Sequence, residues 1–270
     1  MKTLPISLAG IALALAAGTA FAADVILIDQ NKVLAGNVTP GDSPGFPATL
    51  YQSGTYKLMS NLIVPSGKDG IHIANYNVTL DLNGFTIIGP VTCTGSGAAR
   101  TCPGAGPNAG SGVQQQYNWF TKIRNGTVRG FAGYGIVGVA QGSTLEDMTV
   151  RDNGMVGVHV WEPDVRMLRS IVTGNGGDGL MFVQPPALLE DVVVTNNAGV
   201  GVHVYSSEAA DYPAMGGQLR RMLIARNGSY GLEVGIGTSQ TTVHSSNMLG
   251  PIPGYGGEHV RGNACAGAAC

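Results

Sequence analysis

One phrase is written four times in this chain. NGMVGVHV begins at Asn153, NGGDGLMF at Asn175, NAGVGVHV at Asn197 and NGSYGLEV at Asn227. The glycine before each apolar segment falls at Gly135, Gly157, Gly179 and Gly201, 22 residues apart each time. Gly231 follows 30 residues on, eight more than the period, and that interval holds the insertion within SSEAADYPAMGG. Upstream, Gly112 lies 23 residues before Gly135, and Gly70 another 42 before that, the surplus being a loop that holds two cysteines. A repeat of this length means stacked units that each contact only their neighbours.

The unit is β in character. GVHV, GLMF and GLEV alternate with period two, and EDMTV and EDVVV are rich in β-branched residues, with no helical pattern between them. Three short strands and three turns fit one period, and successive coils then stack at ~4.8 Å. This places Asn153, Asn175, Asn197 and Asn227 in one column at a corner. Asn tolerates the left-handed backbone expected there, and stacked amides hydrogen-bond along the axis.

Bulk properties narrow the setting. Only 12% of residues are charged while glycine reaches 42, a balance that excludes both a helical bundle and a disordered chain. Residues 1–22 read as a signal peptide: Lys2, the apolar run ISLAGIALALAA, then Ala20-Phe21-Ala22. The expectation is an exported protein, periplasmic or extracellular, with no membrane insertion. Without Lys2, 14 basic residues face 17 acidic ones, and no basic stripe suits nucleic acid. In an oxidising compartment the close pairs Cys93 with Cys102 and Cys265 with Cys270 are expected as disulfides. Neither has the spacing of a zinc site, so no metal is expected. The organisation that follows is a capping segment over 23–66, which shields strand edges, a solenoid over 67–262 and a disulfide-closed tail over 263–270. YKLMSNLIV is expected as the first strand.

The asparagine column, NVTLDLNGFTIIGP at 77–90 and KIRNGTVRGF at 122–131 resemble the right-handed parallel β-helix proteins of the pectate-lyase-like superfamily. The resemblance runs from residue 70 to about 260. The stretch 36–65 is similar to the lead-in of a group of exported bacterial β-helix proteins without assigned activity. It implies an all-β solenoid of seven to eight coils. It leaves function open, because the superfamily holds lyases, hydrolases, epimerases, binding proteins and adhesins. No intact catalytic constellation of its pectin hydrolases, pectate lyases or alginate epimerases is found here.

Chemistry concentrates on one expected outward column: His72, Gln114, Val137, His159, Met181, His203 and Glu233. Two positions on, Ala74, Gln116, Val139, Trp161, Val183, Tyr205 and Gly235 are expected to point the same way. His203 and Glu233 on adjacent coils suit a carboxylate-oriented base, with His159 as a further candidate catalytic group. Trp161, Tyr205, His72 and Arg169 are candidate substrate-binding residues. His159 and His203 are two coils apart, too far to share a metal. A further column, Asn83, Asn125, Asp147, Arg169, Asp191 and Arg221, alternates in charge and reads as a ladder of ion pairs. Arg169 parts the two acids, so calcium is unsupported and no cofactor is expected. The leading expectation is a protein that binds a polysaccharide or glycan along one strand face. The alternatives are a polysaccharide lyase or epimerase, and a non-catalytic interaction protein using the strip Thr149, Ile171, Val193 and Leu223.

Overall fold

The computed structural model describes residues 25–116, 118–184, 187–204 and 217–234, with the backbone of short strand segments at 214–215 and between 238 and 269. Tyr205 and the Cys265–Cys270 pairing lie outside the described residues, as does the signal peptide.

The molecule is a parallel β-helix. Each coil gives one short strand to an eight-stranded face sheet: Ala48–Leu50, Ile71–Ile73, Val113–Gln115, Ile136–Val139, Val158–Val160, Leu180–Phe182, Val202–Val204 and Leu232–Val234. Every neighbour in that sheet pairs in parallel. The rest of each coil forms a second sheet, parallel except for one antiparallel pair at 264–269, that bends sharply partway along each coil. The alternation in GVHV works as the period-two pattern requires: Val158, Leu180 and Val202 are buried, and the residues after them face out.

The bend of the second sheet is the alternating-charge column. Asn83, Asn125, Asp147, Arg169, Asp191 and Arg221 all have positive φ, from 45° to 58°. Asn and Asp enter that region at little cost, whereas arginine does so reluctantly. The two arginines are held from outside. Arg169 grips Asp147 through Nε and Nη2, at 2.8 and 2.9 Å, and Arg221 grips Asp191 the same way at 2.7 and 2.8 Å. The expected ladder is present. Arginine hydrogen bonds hold the Asp147 and Asp191 carboxyls below their usual range.

The asparagine column also stacks, with one correction. Asn153, Asn175 and Asn197 are fully buried. Asn153 donates its backbone and side-chain N–H to Asn175 Oδ1 at 3.1 and 3.0 Å, and Asn175 does the same to Asn197 and Asn197 to Asn227. The left-handed residue is not the asparagine but the one before it: Asp152, Gly174, Asn196 and Arg226. That preceding residue makes the turn, and the turn aims the amide inward. The repeating glycine is required by packing. A Cβ on Gly179 would lie 2.6 Å from the carbonyl oxygen of Gly201 and 2.7 Å from Asn197 Nδ2.

The surplus loop is a strap. The Cys93–Cys102 disulfide forms as expected, and the loop runs along the asparagine corner across several coils. Ala105 packs on Gly154, Cys102 on Gly176 and Ala98 on Gly228, where a Cβ would lie 2.5 Å from the Ala98 backbone nitrogen. Arg100 forms an ion pair with Asp152, and Cys93 Sγ lies 3.3 Å from the Asp152 carbonyl oxygen.

Two expectations need revision. Strands begin earlier than YKLMSNLIV, at Ile26–Ile28, and a short helix, Gln30–Ala35, follows with Asp29 as its N-cap and Val33 in the core. Val139 does not face outward. The backbone bulges at Gly138, where φ is 77°, so Val139 pairs with Val160 and is buried. On the bent sheet the strip Thr149, Ile171, Val193 and Leu223 is in register and faces out, with Ile171 and Leu223 exposed.

Candidate functional site

The face sheet carries the expected column in unbroken register, from His72 opposite Gln114 to His203 opposite Glu233. Around its middle, loops at the strand ends build a cleft of about 610 Å³ lined by Trp119, Gln141, Trp161, Glu162, Pro163, Val183 and Gln184. Trp161 also lines a second hollow of about 380 Å³, whose wall includes Asp69, Asn108, Ser111, Gln114 and Tyr134. Trp161 lines both, so the two form adjoining compartments along the face.

Trp161 is fixed from beneath. Its indole N–H donates to His159 Nδ1 at 3.2 Å, and its backbone N–H donates to the Val139 carbonyl. The bulge at Gly138 therefore helps to seat the ring. Tyr134 stacks on the His159 ring, with centroids 5.4 Å apart. Since Nδ1 accepts, a neutral His159 carries its proton on Nε2, a buried atom with no hydrogen-bond partner. Burial lowers the His159 pKa to about 4. His72 is likewise lowered by burial, against the pull of Asp69. Both imidazoles are uncharged at neutral pH.

Trp119 is held by backbone rather than by its ring. The Asn77 N–H donates to the Trp119 carbonyl at 3.1 Å, and the Phe120 N–H donates to that of Gln141 at 3.0 Å. Asn118 Nδ2 reaches the Ile73 carbonyl at 2.7 Å, and the buried Gln115 accepts from the Thr121 hydroxyl at 2.9 Å. This anchored loop leaves the Trp119 side chain 48% exposed, a large apolar surface presented to solvent on a rigid base. Glu162 accepts the Gln141 backbone N–H at 3.0 Å, which fixes a carboxylate on the cleft wall.

His203 sits further along the face. Its Nδ1 is 3.0 Å from Asp178 Oδ2, while Asp178 Oδ1 accepts the Val200 N–H at 2.8 Å. The hydrogen bond to Asp178 raises the His203 pKa, against desolvation and with a smaller contribution from Glu233. Glu233 is the register partner that the sequence suggests, and Asp178 is bonded to the ring directly. Arg169 belongs to the corner of the bent sheet, paired with Asp147, and is not brought to this face. Among the described residues, no group of three His, Cys, Asp or Glu could hold a metal ion. None of their helices is long and apolar enough to cross a membrane.

Sequence reasoning missed Trp119, Asp178 and Glu162. Trp119 had a signal: it is one of only two tryptophans, and the other is Trp161. Its loop lies outside the repeated phrase and so outside the columns that the repeat defines.

A parallel solenoid with an open, aromatic-lined strand face is the class that fold and cleft define. The chain belongs to the right-handed β-helix region family, whose model matches residues 105–257, more than half of the 270. Among solved structures it is similar to the Dettilon tailspike protein, at 14% identity and a TM-score of 0.55, covering 84% of this chain and 52% of that one. It is also similar to the A-module of the Azotobacter vinelandii mannuronan C-5 epimerase AlgE4, at 16% identity and a TM-score of 0.50, covering 73% of this chain and 63% of that one. The chain thus spans between half and two-thirds of their lengths, and likeness at this identity shows the fold alone. No curated protein matches the sequence.

Proposed function

We propose that this is an exported glycan-binding β-helix protein, which takes a sugar chain along its face sheet in the cleft between Trp119 and Trp161. The observation that carries this reading is that both tryptophans of the chain line one cleft, beside hydrogen-bonding groups on Gln141, Glu162 and Gln184. Indole faces stack on sugar rings, and amide and carboxylate groups bind hydroxyls. Trp119 and Trp161 belong to coils two apart, so the spacing along the axis is ~10 Å, about two sugar units. On the related fold, the mannuronan epimerase acts by its name on a polysaccharide. The Cys93–Cys102 disulfide and the leader-like residues 1–22 support export.

The test is a glycan array, followed by titration of any hit while tryptophan emission is recorded. With no tryptophan elsewhere, a spectral shift reports on the cleft itself. A bound glycan that leaves the emission unchanged would place binding elsewhere, and silence across the array would reject the reading.

A second reading, a lyase or epimerase, is favoured by the oriented His203–Asp178 pair beside Glu233. Asp178 fixes Nδ1, the arrangement that a histidine base needs. New unsaturated ends or altered sugar stereochemistry, lost in His203→Gln, would establish it.

A further inference from the structure

We infer that the glycan taken by this cleft carries no anionic groups: a neutral or amino-sugar chain fits it, and a polyuronate does not. This rests on the glycan-binding reading and adds the chemical class. The two compartments that share Trp161 contain two carboxylates, Glu162 in the larger and Asp69 in the smaller. Both are pinned by backbone donors, Glu162 by the Gln141 N–H and Asp69 by the Ser111 N–H at 2.7 Å. Among the described residues lining either compartment there is no lysine or arginine.

Recognition of a polyanion depends on cations, above all the planar fork of arginine. Four arginines are engaged elsewhere in the fold. Arg169 and Arg221 are paired along the bent-sheet corner, Arg124 with Asp81, and Arg100 with Asp152 under the strap. The histidines nearest the compartments do not compensate. His159 lies behind Tyr134 and Trp161, and His72 is the register partner of Gln114; burial keeps both uncharged. A sugar carboxylate in the cleft meets fixed negative charge, stacked rings and amides. A neutral sugar meets the same rings and amides without the repulsion, and an amino sugar gains attraction to Glu162 and Asp69.

At low ionic strength, one like-charge contact at the separations of a cleft weakens binding about tenfold, and added salt screens it. The test is calorimetric titration of the full chain with three matched hexasaccharides: a neutral β-glucan, a fully deacetylated glucosamine oligomer and a mannuronate oligomer. The expected order of affinity is amino, then neutral, then uronate, with at least about tenfold between the last two. The expected gap narrows about tenfold in the Glu162→Gln, Asp69→Asn variant, whose side chains keep the oxygen acceptors for both backbone donors. A uronate oligomer that binds as tightly as the neutral one, or an unchanged gap in the variant, overturns the charge inference and leaves glycan binding standing. No binding by any of the three, together with a silent array, removes both.

Discussion

Replacing Asn175 by alanine should cost more than any surface change in the molecule, and the structure gives the size of the loss. The amide of Asn175 is fully buried in the middle of its column. Its Oδ1 accepts from the backbone N–H of Asn153 at 3.1 Å and from Asn153 Nδ2 at 3.0 Å, and its own Nδ2 donates to Asn197 Oδ1 at 2.9 Å. Truncation removes the donor and strands both Asn153 N–H groups, whereas Asn197 Oδ1 keeps the backbone N–H of Asn175 as a partner. A buried donor left unmade costs about 1–3 kcal/mol, so two give a loss of roughly 2–6 kcal/mol. Asn227→Ala is the comparison. Asn227 accepts the same pair of bonds from Asn197, but it is only part-buried, so water can reach the vacated site and the loss should be smaller. Urea unfolding followed by far-ultraviolet circular dichroism reads the difference. An Asn175→Ala midpoint indistinguishable from wild type would refute the ladder as an energetic element, as would an Asn227→Ala loss exceeding it.

Three further outcomes are expected. Gly179→Ala should destabilise by about 1–3 kcal/mol in the same unfolding assay, because the new Cβ meets Val194 Cγ1 at 2.4 Å and a backbone carbonyl at 2.6 Å; Gly106→Ala, with its nearest contact at 3.9 Å, should be near neutral. The pH profile of melting should carry a His159 contribution. The folded pKa near 4 lies below the ordinary value of 6.5, so the neutral ring's stabilisation is complete above 6.5 and is lost as pH falls towards 4; His159→Gln should remove up to about 2 kcal/mol of that acid-side slope. Cys93→Ser with Cys102→Ser should lower stability by about 2–3 kcal/mol through release of a short closed loop, and limited proteolysis should then cut within 93–110.

The repeat was legible because it is enforced residue by residue. Gly179 admits no side chain, Val158, Leu180 and Val202 fill one core, and Asn175 has one partner above and one below, so each constraint leaves its mark every 22 residues. The charge ladder was legible for the same reason. What escaped was everything outside the period. The bulge at Gly138 turned Val139 inward, and no pattern at that position distinguishes a bulged strand from a straight one. The strap's path depends on Ala105, Cys102 and Ala98 meeting glycines on distant coils, a tertiary match with no local signature. Trp119 reaches the cleft from a connecting loop held by backbone hydrogen bonds and by the Asn118 and Gln115 side chains, none of which leaves a periodic mark. The site therefore emerged only when loops and sheet were seen together.

The central claim is that the cleft between Trp119 and Trp161 is the binding surface. Its most direct test is calorimetric titration of wild type, Trp119→Ala and the Trp119→Ala, Trp161→Ala double variant against the glycan that the array selects. Because the Trp119 ring is 48% exposed, its removal should leave melting unchanged and cost about 1–3 kcal/mol of binding, a loss of roughly fivefold to more than a hundredfold in affinity. The double variant should bind too weakly to measure while keeping its circular dichroism spectrum. A folded double variant with wild-type affinity would contradict the claim outright.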